Sequence, residues 1–277
     1  MSNNTFQKVL VQALVLGLLP FGIIACSAET AENSENSFTS ETPEDYGDLL
    51  LTYEETDNQE FEDIRAALEE SAFFDDLIIE INDEMIFTED INVEFASCGE
   101  ANAYYNPEDS TITMCYELIA DYVAIFEEDI ETEEDYINEV IDASSFTFFH
   151  ELGHAMVDQY DLPITGNEED AVDNFATIVL LDVYGDDYGV LSGMLQFEDD
   201  AEVEQESDVE ELAFWDEHAL SSQRFYNTAC LIYGSDPDAF NFIIEEEYLP
   251  EDRAERCEEE YEQKSEAWWT LLDPFFK

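Results

Sequence analysis

The order of apolar and polar positions predicts several short strands in the first half of the chain. A compact apolar run over Leu49–Tyr53 is typical of a strand, and residues 91–95 alternate apolar with polar side chains, as a half-buried strand does. Residues 102–105 and 111–116 carry aromatic and β-branched side chains around a Pro/Asp/Ser turn at 106–110, which favours a β-hairpin. We therefore expect a small sheet.

Helical spacing dominates elsewhere. Apolar residues recur at helical intervals from Phe61 to Leu77, and we expect this helix to continue toward Ile81. Residues 137–159 have the same period. The remaining chain is predicted to be mainly helical, with breaks at 163–166, 184–189 and 234–237.

The N-terminus has the pattern of an export signal. Residues 9–24 are almost wholly apolar, too short for a bilayer span of roughly 20 residues but suited to a signal-peptide core. The tetrapeptide Ile-Ile-Ala-Cys that ends at Cys26 resembles a bacterial lipobox, so we expect residues 1–25 to be a lipoprotein signal peptide and Cys26 to be lipidated. An ordinary secretory signal cleaved nearby is the alternative. Ser27 favours the outer membrane, because it is not the Asp associated with inner-membrane retention.

Residues 26–45 are polar, with almost no large apolar side chain, which is the composition of a disordered tether. We expect the folded domain to occupy residues 46–277. Either kind of signal exports the chain. The expected location is therefore the cell envelope, with a lipid anchor in the outer membrane or at the cell surface and no other membrane contact.

Composition narrows the classes of partner. The chain has 72 Asp and Glu against seven Lys and Arg, a formal net charge of −65, so nucleic acids and anionic lipids are excluded as partners. Hydrophobic residues make up 45%, enough to build a core. Self-repulsion of this size favours a halophilic protein adapted to a salty environment. Residues 198–211 are especially acidic and are expected to form a solvated loop or frayed helix.

Four cysteines follow Cys26, namely Cys98, Cys115, Cys230 and Cys257. In an exported chain they suggest two disulfides, for which three connectivities exist. Proximity in sequence favours Cys98–Cys115 and Cys230–Cys257. A cysteine metal site is the rival, and no Cys-x-x-Cys pair supports it.

The sequence His150-Glu151-Leu152-Gly153-His154 carries the strongest chemical signal. On a helix, His150 and His154 lie on one face, so both imidazoles can bind one metal ion. Glu151 lies beside them, where it can act on a water molecule as a general base. Two buried structural histidines on a core helix are the alternative.

A catalytic zinc needs a third protein ligand. On a helix, Glu169 and Asp173 share a face, so Glu169 can bind the metal while Asp173 orients a ligand histidine. Glu168 points about 100° away and is the weaker candidate. A third histidine six residues after the motif is excluded, because Tyr160 occupies that position. The alternative for Glu169 is a solvated acid that complements the helix dipole.

The His-Glu-x-x-His motif followed by Glu169-x-x-x-Asp173 resembles the gluzincin metallopeptidases. Residues Asn102, Ala103 and Tyr104 are similar to the edge strand that binds substrate backbone in the thermolysin-like members. This resemblance implies an α+β, zincin-like fold. In that fold a small antiparallel sheet, with the substrate strand at its edge, packs on the helix of the motif, and the C-terminal part is mainly helical.

More closely, residues 48–274 resemble a bacterial family of predicted zinc metallopeptidases whose function is otherwise unknown. The matching segments are residues 98–105, 115–118, 150–154, 168–173, 218–220 and 223–227, followed by residues 249–250, 253–254 and 257. The chain departs from the family in its scarcity of Lys and Arg and in the acidic stretch 198–211, which looks like an addition.

The residues and the resemblance together predict an exported, tethered zinc peptidase. One zinc ion would be held by His150, His154 and Glu169, with Glu151 as the general base and a peptide or protein as the substrate. A catalytically weak, zinc-containing binding lipoprotein and an acidic cation-binding surface protein are the alternatives. The oligomeric state stays open.

Two further residues have open roles. The resemblance to gluzincins implies that His218 is catalytic and donates a hydrogen bond to the developing oxyanion, whereas an ordinary helix histidine is the alternative. Tyr104 or Tyr105 could serve the same role. Arg224 is interpreted as the partner of a buried ion pair rather than as a substrate clamp.

Overall fold

The computed structural model describes residues 43–125, 131–206, 212 and 214–277. The predicted signal peptide, Cys26 and most of the predicted tether lie outside these residues. None of the described helices is both long enough and apolar enough to cross a lipid bilayer.

A single four-stranded sheet is formed by the described residues. Its strands are β1 (Leu49–Tyr53), β2 (Ile91–Ala96), β3 (Ala103–Asn106) and β4 (Thr111–Cys115), which confirms the predicted strands and hairpin. Their order is β1-β2-β4-β3, so β3 is an edge strand that pairs on one side only with β4.

The expectation of an antiparallel sheet is wrong, because the sheet is mixed. Only β3 and β4 are antiparallel, whereas β2 is parallel to both β1 and β4. The chain between β1 and β2 forms two helices and returns to the same end of the sheet, so the two strands it joins must run in the same direction.

Those two helices are α1 (Gln59–Ser71) and α2 (Phe73–Glu84), where the sequence predicted one. Ala72 separates them in a left-handed conformation, with φ of 51°. The Ser71 hydroxyl stabilises the break, because it donates to the Leu68 carbonyl and accepts from the Phe73 N–H. The break lets α2 direct its own apolar face into the core.

The remaining chain is mainly helical. After β4 come α3 (Tyr116–Ile125), α4 (Glu133–Gln159), α5 (Glu168–Val179), a π-helical turn (Leu180–Tyr184), α6 (Asp187–Glu206), α7 (Ser221–Ser235), α8 (Phe242–Glu245), α9 (Glu251–Ala254), α10 (Cys257–Leu272) and a 3₁₀ turn (Asp273–Phe275). The predicted acidic stretch therefore begins as helix, and residues 207–211 lie outside the described chain.

Helix α4 runs through the middle of this mixed α/β fold. It begins with a capping box between Thr132 and Asp135, and its second half is buried on nearly all sides. On the sheet side, the Phe148 ring packs against Phe74 of α2 with centroids 5.3 Å apart, while Phe146 packs against Phe197 of α6. A helix packed on both sides provides a rigid platform for the side chains it carries.

Both predicted disulfides are confirmed. Cys98–Cys115 ties the loop after β2 to the end of β4, and Cys230–Cys257 ties α7 to the start of α10. The first therefore braces the edge hairpin, and the second braces the helical part behind α5.

Candidate metal centre

The histidine motif lies on the buried second half of α4. His150 and His154 are one turn apart, and their ring centroids are separated by 5.0 Å. Both side chains are mostly buried. The rings therefore share a face and have little freedom to move away from it.

Helix α5 brings two carboxylates to the same face. It begins after Asn167, whose side-chain oxygen accepts a hydrogen bond from the Glu169 N–H at 3.2 Å. Glu169 and Asp173 follow one turn apart and are both buried. The cap thus fixes where the helix starts and which of its acids point toward α4.

Three imidazoles converge on a single carboxylate oxygen. The Nε2 atoms of His150, His154 and His218 lie 3.2, 3.3 and 3.0 Å from Oε2 of Glu169. Oε2 of Glu169 and one ring nitrogen each of His150 and His218 lie within 4.8 Å of one another, close enough to hold one metal ion. The structure thus brings together both histidines of the motif, the predicted third ligand and the distant His218.

His218 reaches this point from the loop before α7. Asn167, the cap of α5, also donates through its side chain to the Glu217 carbonyl at 2.7 Å. Asp216 accepts a hydrogen bond from the His218 N–H at 3.0 Å. The same residue that starts α5 therefore holds the loop that carries His218.

A further carboxylate fixes each histidine of the motif. Nδ1 of His150 lies 2.7 Å from Oδ1 of Asp173, and Nδ1 of His154 lies 2.8 Å from Oε1 of Glu168. Each contact directs the opposite nitrogen, Nε2, toward Glu169. Carboxylates that hold the outer nitrogen of a histidine are typical of zinc sites, so this donor set fits a zinc ion.

Arg224 of α7 completes the arrangement behind His150. Its Nε and terminal nitrogen bind the two oxygens of Asp173 at 2.8 and 2.7 Å. Its guanidinium also lies 4.1 Å from the centre of the Phe197 ring. The interpretation of Arg224 as a buried ion-pair partner agrees with this geometry.

The charged groups of the site shift one another's pKa. Burial alone would raise the pKa of Glu169, yet hydrogen bonds from the three imidazoles hold the pKa of this carboxyl well below its usual value. Burial likewise opposes ionisation of Asp173, and the Arg224 charge overcomes it and keeps the Asp173 pKa low. Both carboxylates are therefore anionic, as metal binding and histidine orientation require.

Glu151 is buried beside these groups. Burial raises its pKa, although the nearby His150 and His154 and a hydrogen bond from the Tyr105 backbone oppose the change. A carboxyl whose pKa is raised above its usual value is suited to accept and then release a proton.

A cleft of about 570 Å³ opens onto this centre. His150, Glu151 and His218 line it, and so do Asn102 and Ala103 at the start of the edge strand. Tyr104 is exposed, while the Tyr105 hydroxyl donates to Asp158 of α4 at 2.8 Å. The predicted substrate strand thus borders the cleft through Asn102 and Ala103.

Sequence reasoning missed two contacts. It considered Glu168 only as the weaker candidate for the third ligand, although a second ligand histidine needs its own carboxylate partner, and that requirement was the available signal. It also did not predict the contact of His218 with Glu169, to whose Oε2 the Nε2 atom of His218 is the nearest of the three. No local spacing could reveal the second contact, because His218 lies far along the chain from the motif.

Comparisons with known proteins identify the family. No curated protein and no solved structure matched the chain. Residues 53–272, well over half of the chain, match the model of a family described as "Putative metallopeptidase". The matched region contains the whole candidate metal centre and the edge strand, and the chain therefore belongs to this putative metallopeptidase family.

Proposed function

We propose that the protein is a zinc-dependent peptidase in which His150, His154 and Glu169 hold one zinc ion. The observation that carries the proposal is the convergence of the imidazole Nε2 atoms on Glu169, beside a cleft that His150 and the buried Glu151 line. A zinc ion in this site would supply Lewis-acid polarisation of a water molecule and of the scissile carbonyl group.

The protein's own residues provide the remaining chemistry. Glu151 accepts a proton from the attacking water and passes it to the leaving amine, a role that its raised pKa supports. The edge strand β3 holds the peptide in an extended conformation, since it pairs on one side only with β4 and its other edge, apart from the Tyr105 group bound to Glu151, can pair with an added strand. Asp173 and Glu168 keep the two histidines of the motif oriented.

His218 is assigned to the substrate rather than to the zinc ion. Its side chain is 43% exposed, it lines the cleft, and its Nδ1 faces Asp216, so Nε2 can donate a hydrogen bond to the oxygen of the reacting carbonyl. The variant His218→Ala should keep zinc and lose peptide hydrolysis, whereas His154→Ala should lose zinc. Loss of zinc from His218→Ala would instead make His218 a ligand.

Export and tethering are part of the proposal. The signal-like segment and the lipobox at Cys26 support an acylated chain held at the cell envelope by residues 26–45. Mass spectrometry of the mature N-terminus tests this directly. A diacylglycerol-modified Cys26 is expected, and an unmodified N-terminus at another residue would contradict it.

The catalytic assignment is tested with Glu151→Gln. We expect wild type to contain one zinc ion per chain and to cleave unfolded protein substrates, and the variant to keep zinc and cleave at least about 100-fold more slowly. Glu266→Gln, an exposed change on α10, is the matched control. Full activity of Glu151→Gln would contradict the mechanism, and zinc without cleavage in wild type would favour the binding lipoprotein.

A further inference from the structure

The wall of the cleft contains a buried amide with a fixed orientation. Gln196 of α6 is only 2% exposed, and its side-chain nitrogen donates to the Ala143 carbonyl and to the Ser192 hydroxyl, each at 3.2 Å. A carbonyl can only accept, so the nitrogen must face Ala143 and the oxygen must face the other way. The Gln196 oxygen has no partner among the described residues, and Gln196 lines the cleft.

Three carboxylates surround the same region of the cleft. Asp121 of α3 and Asp199 and Asp200 of α6 line it, and within the described chain their side chains form no hydrogen bond or ion pair. Burial and then the Asp199 charge raise the pKa of Asp200, and the opposing charge of Arg224 offsets them only in part. Every one of these groups is a hydrogen-bond acceptor.

No Lys or Arg of the described residues is free to neutralise these carboxylates. Arg224 is the one Lys or Arg among the described residues that line the cleft, and Asp173 already binds it through two hydrogen bonds. Each of the other Lys and Arg residues of the described chain contacts a side chain away from the cleft. These residues are Arg65, Arg253, Arg256, Lys264 and Lys277.

The remaining wall is apolar. Leu118 and Ile125 of α3 and the packed rings of Phe146 and Phe197 line the cleft beside these acceptors. A lysine or arginine side chain is complementary to this wall, since its aliphatic stem can contact the apolar surface while its charged end reaches the acceptors.

We propose that this part of the cleft is a subsite for a basic side chain, lysine or arginine, of the peptide substrate. The proposal rests on the proposed peptidase function. Acids cover the whole surface of this protein, so acidity alone would not distinguish the site. The distinguishing features are the Gln196 oxygen, which lacks a hydrogen-bond partner among the described residues, the apolar walls and the position beside Glu151.

Binding to the full chain carrying Glu151→Gln separates recognition from turnover. The probes are two fluorescein-labelled octapeptides of alanine with one central lysine, free in one and Nε-acetylated in the other, compared by fluorescence anisotropy at constant ionic strength. We expect the free lysine peptide to bind about three- to tenfold more tightly. Equal binding of the two peptides would overturn the proposal.

General attraction to a chain of net charge −65 must be separated from the subsite. In the Glu151→Gln background, Asp199→Asn with Asp200→Asn should bring the ratio of the two affinities close to one. Glu262→Gln with Glu266→Gln removes the same charge from exposed positions of α10 and should leave the ratio unchanged. An equal fall of the affinity ratio in both double variants would overturn the proposal.

The two proposals fail differently. If wild type binds the lysine peptide selectively but cleaves no peptide, the peptidase function is wrong and the subsite stands. If wild type cleaves peptides and the selectivity is absent, the subsite is wrong and the peptidase function stands.

Discussion

Gly153 of α4 lies so close to Val172 of α5 that a Cβ atom on Gly153 would stand 2.9 Å from two carbons of the Val172 side chain. The Phe175 ring would be 3.1 Å away. The absence of a side chain at Gly153 therefore sets how closely α4 and α5 approach. That separation places Glu169 and Asp173 within reach of the histidines of α4.

Replacing Gly153 with alanine should push the two helices apart. We expect the free energy of unfolding to fall by about 1–3 kcal/mol, as overpacking of a close interface does, and zinc affinity to fall with it. Urea unfolding and competition with a chromogenic chelator measure the two effects. The control is Gly166→Ala in the loop before α5, where a Cβ would meet nothing within 4 Å. Equal effects of the two variants would contradict this account of the helix contact.

Arg224 positions Asp173, and through it His150. Arg224→Lys keeps the charge but cannot bind both carboxylate oxygens in the same fork, so His150 should be held less firmly. We expect zinc affinity to fall by about 10–100-fold, measured by chelator competition. Arg256→Lys, at an exposed position with a single contact of 4.0 Å to Glu260, should change nothing. Unchanged zinc affinity in Arg224→Lys would show that the ion pair does not support the metal centre.

The sequence predicted those parts of the fold that depend on neighbouring residues. The hairpin, the helix of the histidine motif and the pairing of the disulfides all follow from local pattern or proximity. The parallel pairing of β2 with β1 and β4 was missed, because strand direction depends on where the intervening helices carry the chain. The break at Ala72 was missed because the apolar period runs through it.

The same distinction between local and distant contacts applies to the candidate site. Spacing identified His150, His154 and the Glu169–Asp173 pair, since each depends on one turn of a helix. The contacts of Arg224 with Asp173 and of His218 with Glu169 join segments far apart in the chain. Only the packing of α7 and its preceding loop against α5 determines them, and a single sequence carries no direct record of that packing.

Asp142 of α4 should make stability depend on pH. Burial, followed by the charges of Asp186 and Glu139, raises the pKa of this half-buried carboxyl to about 7. Its stabilising contribution is therefore full only below the pKa of the unfolded carboxyl, about 4, and it declines as pH rises until it is lost at about pH 7, because ionisation costs more in the folded than in the unfolded chain. Asn cannot ionise, so Asp142→Asn should be more stable than wild type at high pH.

Urea unfolding at pH 5 and pH 8 measures this difference. The free energy of unfolding of Asp142→Asn, relative to wild type, should increase by about 1–2 kcal/mol from pH 5 to pH 8. This figure allows for solvent screening of a half-buried group. Glu266→Gln removes one exposed charge and should show no such growth. A pH-independent difference between Asp142→Asn and wild type would contradict the prediction.

The net charge of −65 should make the folded state depend on salt. Charges repel over about 30 Å at 0.01 M salt but only about 3 Å at 1 M, so screening stabilises the compact chain more than the expanded one. We expect the melting temperature of the zinc-saturated protein to rise across this range. Sodium chloride and tetramethylammonium chloride should act alike, since screening does not depend on specific ion binding. A melting temperature that is insensitive to salt would contradict halophilic adaptation, and a rise with sodium alone would point to bound cations instead.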